Sequence, residues 1–153
     1  MSYRLVPATL EDRAWLEDLR RAVYRELFFA TWGAWDEARH QRHTRDCWEQ
    51  GGIFLIEIEH VRVGMIQVHD RPNTVEIGEI QVRPPEQGRG IGTHVLSDVI
   101  ARSHSRRKSV SLSDGLRNER ARRLYERLGF REVAQSDTHR DMVCIPTVDL
   151  LRG

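Results

Sequence analysis

A chain of 153 residues with 39% hydrophobic and 31% charged content can bury one core and solvate its surface, so residues 1–153 read as a single domain. The formal net charge of +1 leaves no global field to attract nucleic acid or an anionic membrane, and neither is expected as a partner. Two cysteines in unrelated contexts, no apolar signal core in the first residues and no run of transmembrane length point to a soluble protein of a reducing, cytoplasmic compartment.

In chain order, Tyr3 to Val6 reads as a short strand closed by Pro7. Thr9-Leu10-Glu11-Asp12, with an acid three residues after the Thr, is a helix start. Leu16, Leu19, Val23 and Leu27 mark one face of that helix. A second segment, Thr31-Trp32-Gly33-Ala34-Trp35-Asp36-Glu37, leads into a helix capped by Asp36 and stopped at Gly51-Gly52. The spacing His40-x-x-His43-x-x-x-Cys47 lies on that helix, but zinc needs a fourth ligand or an open catalytic position and no partner cluster appears, so no metal is expected. The histidines read as polar groups in water. Trp32 and Trp35 are either core aromatics or the wall of an acceptor pocket.

Ile53 to Ile58 alternates as a strand; Glu59-His60 is a tight turn; Val61 to Val68 is the next strand, with a bulge or bend at Gly64. Asp70-Arg71-Pro72-Asn73 turns the chain into a third strand, Val75 to Arg83. These three form an antiparallel meander. Pro84 and Pro85 end the last strand, and Gln87-Gly88-Arg89-Gly90-Ile91-Gly92-Thr93 is a glycine-rich turn opening a helix from Ile91 to about His104. Strand, glycine turn and helix N-terminus together make an anion site suited to a pyrophosphate. The dinucleotide fingerprint fails because Thr93 stands where its third Gly is needed; the ATP-type loop fails at Thr93 and His94. Val110 to Leu112 is a strand that, following a helix, lies parallel to the strand before that helix. Asn118 caps a helix carrying Ala121, Leu124, Tyr125 and Leu128 on one face, stopped by Gly129 and Phe130. Phe130 to Ala134 and Met142 to Val148 read as two last strands. The basic runs Arg102 to Lys108 and Arg117 to Arg127 are interleaved with apolar positions and acids, as a solvated helix face is.

Gln87-x-x-Gly90-x-Gly92, with Val82-x-Pro84 upstream, resembles motif A of the GNAT superfamily of N-acetyltransferases. Asn118-x-x-Ala121-x-x-Leu124-Tyr125-x-x-Leu128-Gly129-Phe130 resembles its motif B, in the right order along the chain. Trp32 to Glu37 and Asp137-Thr138-His139 are similar to a bacterial subgroup of it. The resemblance implies an α/β fold: a mixed, mostly antiparallel twisted sheet of six or seven strands with about four helices, whose central parallel strand pair splays apart.

It further implies an acetyltransferase that moves an acetyl group from acetyl-CoA to a primary amine by direct attack in a ternary complex. The acceptor would be a small molecule, less readily a peptide or protein. A non-catalytic acyl-CoA-binding sensor is the alternative, and a homodimer is compatible with the family. By position, Ile80 and Val82 would meet the pantetheine arm through their backbone, with Gln81 in the same cofactor-binding stretch. Gln87, Gly88, Arg89, Gly90, Ile91 and Gly92 would cradle the pyrophosphate, Thr93 adding its hydroxyl, and Asn118 would contact the cofactor besides capping its helix. Arg122, Arg123 and Arg89 are candidates for the 3′-phosphate. Tyr125 stands where the family commonly places the acid that protonates the leaving thiolate. The general base stays open among Glu79, which is preferred, Glu76, His139 and a water chain; Ser113 stands where other members carry a glutamate. Glu76 and Glu79 have opposite parity, so only one of them can face an acceptor. Trp32, Trp35 and His139 count as substrate-side residues.

Overall fold

The computed structural model describes residues 2–146. Its strands are β1 (Arg4–Pro7), β2 (Ile53–Ile58), β3 (Val61–Asp70), β4 (Thr74–Val82), β5 (Ser109–Gly115), β6 (Arg131–Gln135) and β7 (His139–Cys144). They form one mixed sheet in the order β1-β2-β3-β4-β5-β7-β6. Four α-helices accompany it: α1 (Arg13–Trp32), α2 (Glu37–Gln50), α3 (Ile91–Ser105) and α4 (Glu119–Arg127). The parallel pair expected from the sequence is β4 with β5, in register from Thr74↔Ser109 to Ile77↔Leu112. The ladder ends there, although β4 runs on to Val82 and β5 to Gly115.

The described residues fall into two compact units, one from residues 2–68 and 79–91, the other from 69–78 and 92–146. In the first unit, Leu19, Ile53 and Met65 are buried together, with Trp15, Leu16, Val23, Cys47 and Trp48 packed against them. These come from the apolar faces of α1 and α2 and the alternating positions of β2 and β3, as the two periods require. Gly64 marks a close approach: a Cβ there would lie 2.2 Å from the Gln81 carbonyl oxygen, so only glycine lets β3 run this near β4. The ladder beside it slips between Ile56 and Glu57, the bulge expected from that glycine. In the second unit, Val75, Ile77, Val95, Leu96, Val99, Val110, Leu112 and Met142 are buried.

Local stops and starts account for the boundaries. Thr9 donates its amide to Asp12 Oδ2 at 2.8 Å, and Asp36 Oδ1 accepts from the Arg39 amide at 3.0 Å. Several boundaries differ from the sequence reading, among them β3, which runs on to Asp70, and β5, which spans Ser109–Gly115. Pro7 belongs to β1, pairing with Phe54, which is permitted because β1 is an edge strand. Helix α1 absorbs Thr31 and Trp32, read from the sequence as part of the second segment: no breaker precedes Gly33, whose φ of 73° and amide bond to the Phe29 carbonyl end the helix. Strand β7 starts at His139 rather than Met142, and positions 147 and 148 of the expected strand lie outside the described residues. No helix among the described residues is long and apolar enough to cross a membrane.

Candidate active site

The glycine turn is tied to the strand before it. Pro84–Glu86 forms one 3-10 turn, and Gln87 Nε2 donates to the Val82 carbonyl at 2.9 Å. Gly88 and Gly90 both take φ of 80°, a conformation L side chains rarely adopt, and a Cβ at either would meet nothing within 4 Å. Arg89 and Thr93 are exposed, while Ile91 is buried and opens α3. The first amides of a helix have no intrahelical acceptor. The stretch 87–93 therefore offers an open loop of extended and left-handed backbone running into a helix N-terminus, which fits a diphosphate ligand. Ile80 and Val82 are half-buried on β4 beyond its ladder with β5; Gln81 is buried on the opposite parity.

Helix α4 is a self-contained unit of the second motif. Asn118 Oδ1 accepts from the Ala121 amide at 3.3 Å. At the other end Gly129 has φ of 100°, the Gly129 amide donates to the Glu126 carbonyl, and the Phe130 amide donates to the Tyr125 carbonyl at 3.0 Å. That is the Schellman arrangement, with Tyr125 and Phe130 in edge-on ring contact at 5.8 Å as its hydrophobic clasp. Tyr125 is half-buried. Arg122 is held by Glu119 at 2.8 Å and Glu126 at 3.7 Å. Arg89 and Arg123 are exposed and form no ion pair among the described residues.

The two glutamates of β4 have different surroundings. Glu76 lies near Arg71 at 3.8 Å and its side chain is 45% exposed. Glu79 is 16% exposed and shares the face of Val75 and Ile77, its Oε1 2.5 Å from His43 Nε2. Gln81 Nε2 donates to Glu79 Oε2 at 3.4 Å. Glu79, Gln81 and His43 line a cavity of about 30 Å³ together with Arg13, Glu17, Arg20 and Cys47. That is room for roughly two waters or the end of one amine. His139, at the start of β7, is exposed and bonded to Thr138 Oγ1 at 2.8 Å.

His40 of α2 does not stand in water as the sequence suggested, whereas His43 is partly exposed. His40 is 1% exposed and accepts from Arg20 Nη1 at 2.9 Å. Burial, and then the Arg20 charge, push its pKa down. A guanidinium can only donate, so His40 Nδ1 is the acceptor and the ring is neutral. Burial likewise lowers the pKa of Arg20, while Glu79 opposes the shift. The Arg20 guanidinium lies 5.5 Å from the Tyr24 ring, 5.8 Å from Phe28 and 6.0 Å from Trp35. Trp35 is thereby part of an aromatic cluster with Phe28 and His40, its indole N–H donating to Glu37, rather than a wall of the cavity. Trp32 is 58% exposed at the end of α1. Burial pushes the Cys47 thiol up to about 12, and its Sγ donates to Gln67 Oε1, so it is a poor nucleophile. Among the described residues no group of three or more His, Cys, Asp or Glu stands close enough to hold a metal ion.

Arg20 and His43 escaped the sequence reading as site residues, although a signal for each exists. Arg20 interrupts the apolar face of α1 between Leu16 and Val23, and His40, His43 and Cys47 recur at i, i+3 and i+7 on one face of α2.

The sequence profile of the Acetyltransferase (GNAT) family matches residues 16–130. An uncharacterized N-acetyltransferase of Methanocaldococcus jannaschii is 29% identical over 123 residues, covering 70% of this chain and 54% of its own, so the chain spans about half the length of that relative. Among solved structures, an acetyltransferase of Thermus thermophilus superposes with a TM-score of 0.74 at 19% identity, covering 95% of this chain and 97% of the other. The PaiA N-acetyltransferase of Thermoplasma acidophilum, in complex with coenzyme A, gives a TM-score of 0.73 at 16% identity over 95% and 99% of the two chains.

Proposed function

The chain belongs to the GNAT family of acetyltransferases, and from that premise we propose that it transfers an acetyl group from acetyl-CoA to a primary amine of a small-molecule acceptor. The acceptor gives up two protons over the reaction: R–NH3⁺ becomes R–NH–acetyl, one proton ends on the released thiol and one in solvent. Acetyl-CoA supplies the activated acyl group as a thioester.

The observation that supports the cofactor half is the loop of residues 87–92, whose two glycines at φ of 80° leave backbone amides open beside a helix N-terminus. Gln87, Gly88, Arg89, Gly90, Ile91 and Gly92 are proposed to hold the pyrophosphate, Thr93 to add its hydroxyl, and Ile80, Gln81 and Val82 to line the pantetheine arm. Asn118 and one of Arg89, Arg122 and Arg123 are proposed as further cofactor contacts; Arg122 is the weakest of the three because two acids already engage it. Tyr125 is proposed as the acid for the leaving thiolate. On the acceptor side, the partly buried Glu79 is favoured over Glu76, because only Glu79 reaches the cavity lined by α1, α2 and β4. Cys47, a high-pKa thiol in that cavity, is a poor candidate for an acyl-enzyme, which supports direct attack by the amine. Residues 1–153 are taken as one such domain, and two free thiols suit a cytoplasmic site of action.

Thiol release from acetyl-CoA across spermidine, kanamycin, free amino acids and a short peptide tests the reading. At least one amine should raise release well above the hydrolysis background, and its N-acetylated form should not. Acetyl-CoA binding without transfer to any amine would favour a sensor; no binding would remove the cofactor assignment.

A further inference from the structure

We propose that His43 is the proton acceptor for the incoming amine, acting through Nδ1, and that Glu79 is the positioning residue that fixes its ring. The proposal rests on the acetyltransfer reading and adds a residue to its acceptor side.

The geometry of the cavity carries it by elimination and by order of access. Six titratable side chains line that space: Arg13, Glu17, Arg20, His43, Cys47 and Glu79. The two arginines stay protonated and cannot take a proton. Cys47 is held as the thiol by burial. Glu17 lies 3.7 Å from Arg13 in the next turn of α1. There remain His43 and Glu79, which touch at 2.5 Å.

A carboxylate only accepts, so the proton of this bond sits on His43 Nε2. In its neutral form the ring carries its lone pair on Nδ1, for which no hydrogen bond is seen among the described residues. The imidazole is 40% exposed and the carboxylate 16%, so a ligand reaching the pair from solvent meets the ring first. Glu79 is held in turn by Gln81 Nε2 at 3.4 Å and by its place on a rigid strand beside buried Ile77. This is a carboxylate–imidazole pair in which the carboxylate selects the tautomer and orients the ring. In the step itself one N–H bond of the acceptor ammonium breaks and one Nδ1–H bond forms. The electron pair stays on the amine nitrogen, and the imidazolium later releases its proton to solvent.

Two measurements test this. In protein labelled with ¹⁵N-histidine, the signal absent from H43Q should show the neutral ring protonated at Nε2 and bare at Nδ1; protonation at Nδ1 would overturn the proposal without any acceptor being needed. With an amine accepted by the wild type, H43Q should lower kcat by about 10²- to 10⁴-fold and leave the Kd for acetyl-CoA unchanged. E79Q should lower kcat less, and the double variant H43Q/E79Q should lose no more than H43Q alone, because Glu79 acts through the ring. Added imidazole should restore part of the activity of H43A and none of that of E79A. An E79Q loss exceeding that of H43Q, or additive losses, would make Glu79 itself the base and overturn the proposal. A wild type inert towards every amine would instead overturn the acetyltransfer reading, and this proposal with it.

Discussion

Among single residues, two side chains make sharp and separate predictions. Tyr125 combines a packed ring with a phenol that we propose as the leaving-group acid, and only the hydroxyl is removed by Tyr125→Phe. That variant should lower kcat by about 10-fold or more while the ring contact with Phe130, the melting temperature and the Kd for acetyl-CoA stay close to wild type. Loss of folding or of cofactor binding would show that the hydroxyl supports the structure or the cofactor site, and would remove its assignment as the acid. Asp114 is a different case. It is 8% exposed near the end of β5, and burial pushes its carboxyl up to about 6, with Arg140 at 3.9 Å opposing the shift. The unfolded chain releases this proton near pH 4, so between about pH 4 and 6 the folded protein binds more protons than the unfolded one. Stability therefore falls as pH rises through that window, since the unfolded chain ionises freely while the buried carboxyl is still held neutral. Urea unfolding of wild type and Asp114→Asn at pH 4.5 and 7 should show this local slope in the wild type and not in the variant. Equal pH slopes for the two proteins would locate the titration elsewhere.

Among the helices and turns, the glycines of the two motifs serve unlike purposes and should respond differently. Gly129 ends α4 at φ of 100°, and a Cβ there would lie 3.3 Å from Cys144 Sγ. Gly129→Ala should cost about 1–2 kcal/mol of stability from the left-handed backbone, read as a lower urea midpoint. Gly90 has a similar φ of 80° but open space around it. Gly90→Ala should cost about 1–2 kcal/mol in stability from the same left-handed backbone. It should also raise the KM for acetyl-CoA by about tenfold, because the added methyl stands where backbone is proposed to approach the ligand. A stability loss with unchanged KM would detach the loop from cofactor binding. The helix caps follow from local chemistry in the same way: Asn118 and Asp36 each satisfy an amide that the helix leaves unpaired, and both were legible as capping residues from sequence.

Over the molecule as a whole, acidic and basic residues nearly cancel, with a pI of about 7.9. Solubility should therefore pass through a minimum near pH 8 and recover at pH 6 and at raised ionic strength, which light scattering against pH will show. The mixed sheet of seven strands agrees with what the family resemblance implied, and the parallel β4–β5 pair with what a strand following a helix implied; the place of β7 between β5 and β6 came only from the structure. Features that depend on near neighbours in the chain were already written in its residues. The Gly88 and Gly90 turn, the Asn118 cap, the Gly129 stop, the Glu59-His60 hairpin and the opposite parity of Glu76 and Glu79 need only backbone sterics and a period of 2 or 3.6. Which parity faces the helices had to wait for the packing of distant segments. Packing turned Glu79 towards His43, left Glu76 near Arg71, and drew His40 and Arg20 into an aromatic cluster that a polar helix face had hidden. The reason is physical: a period says which residues share a face, but burial is a property of what packs on it. A buried His or Arg is stable only once partners from distant stretches of chain satisfy its polar atoms.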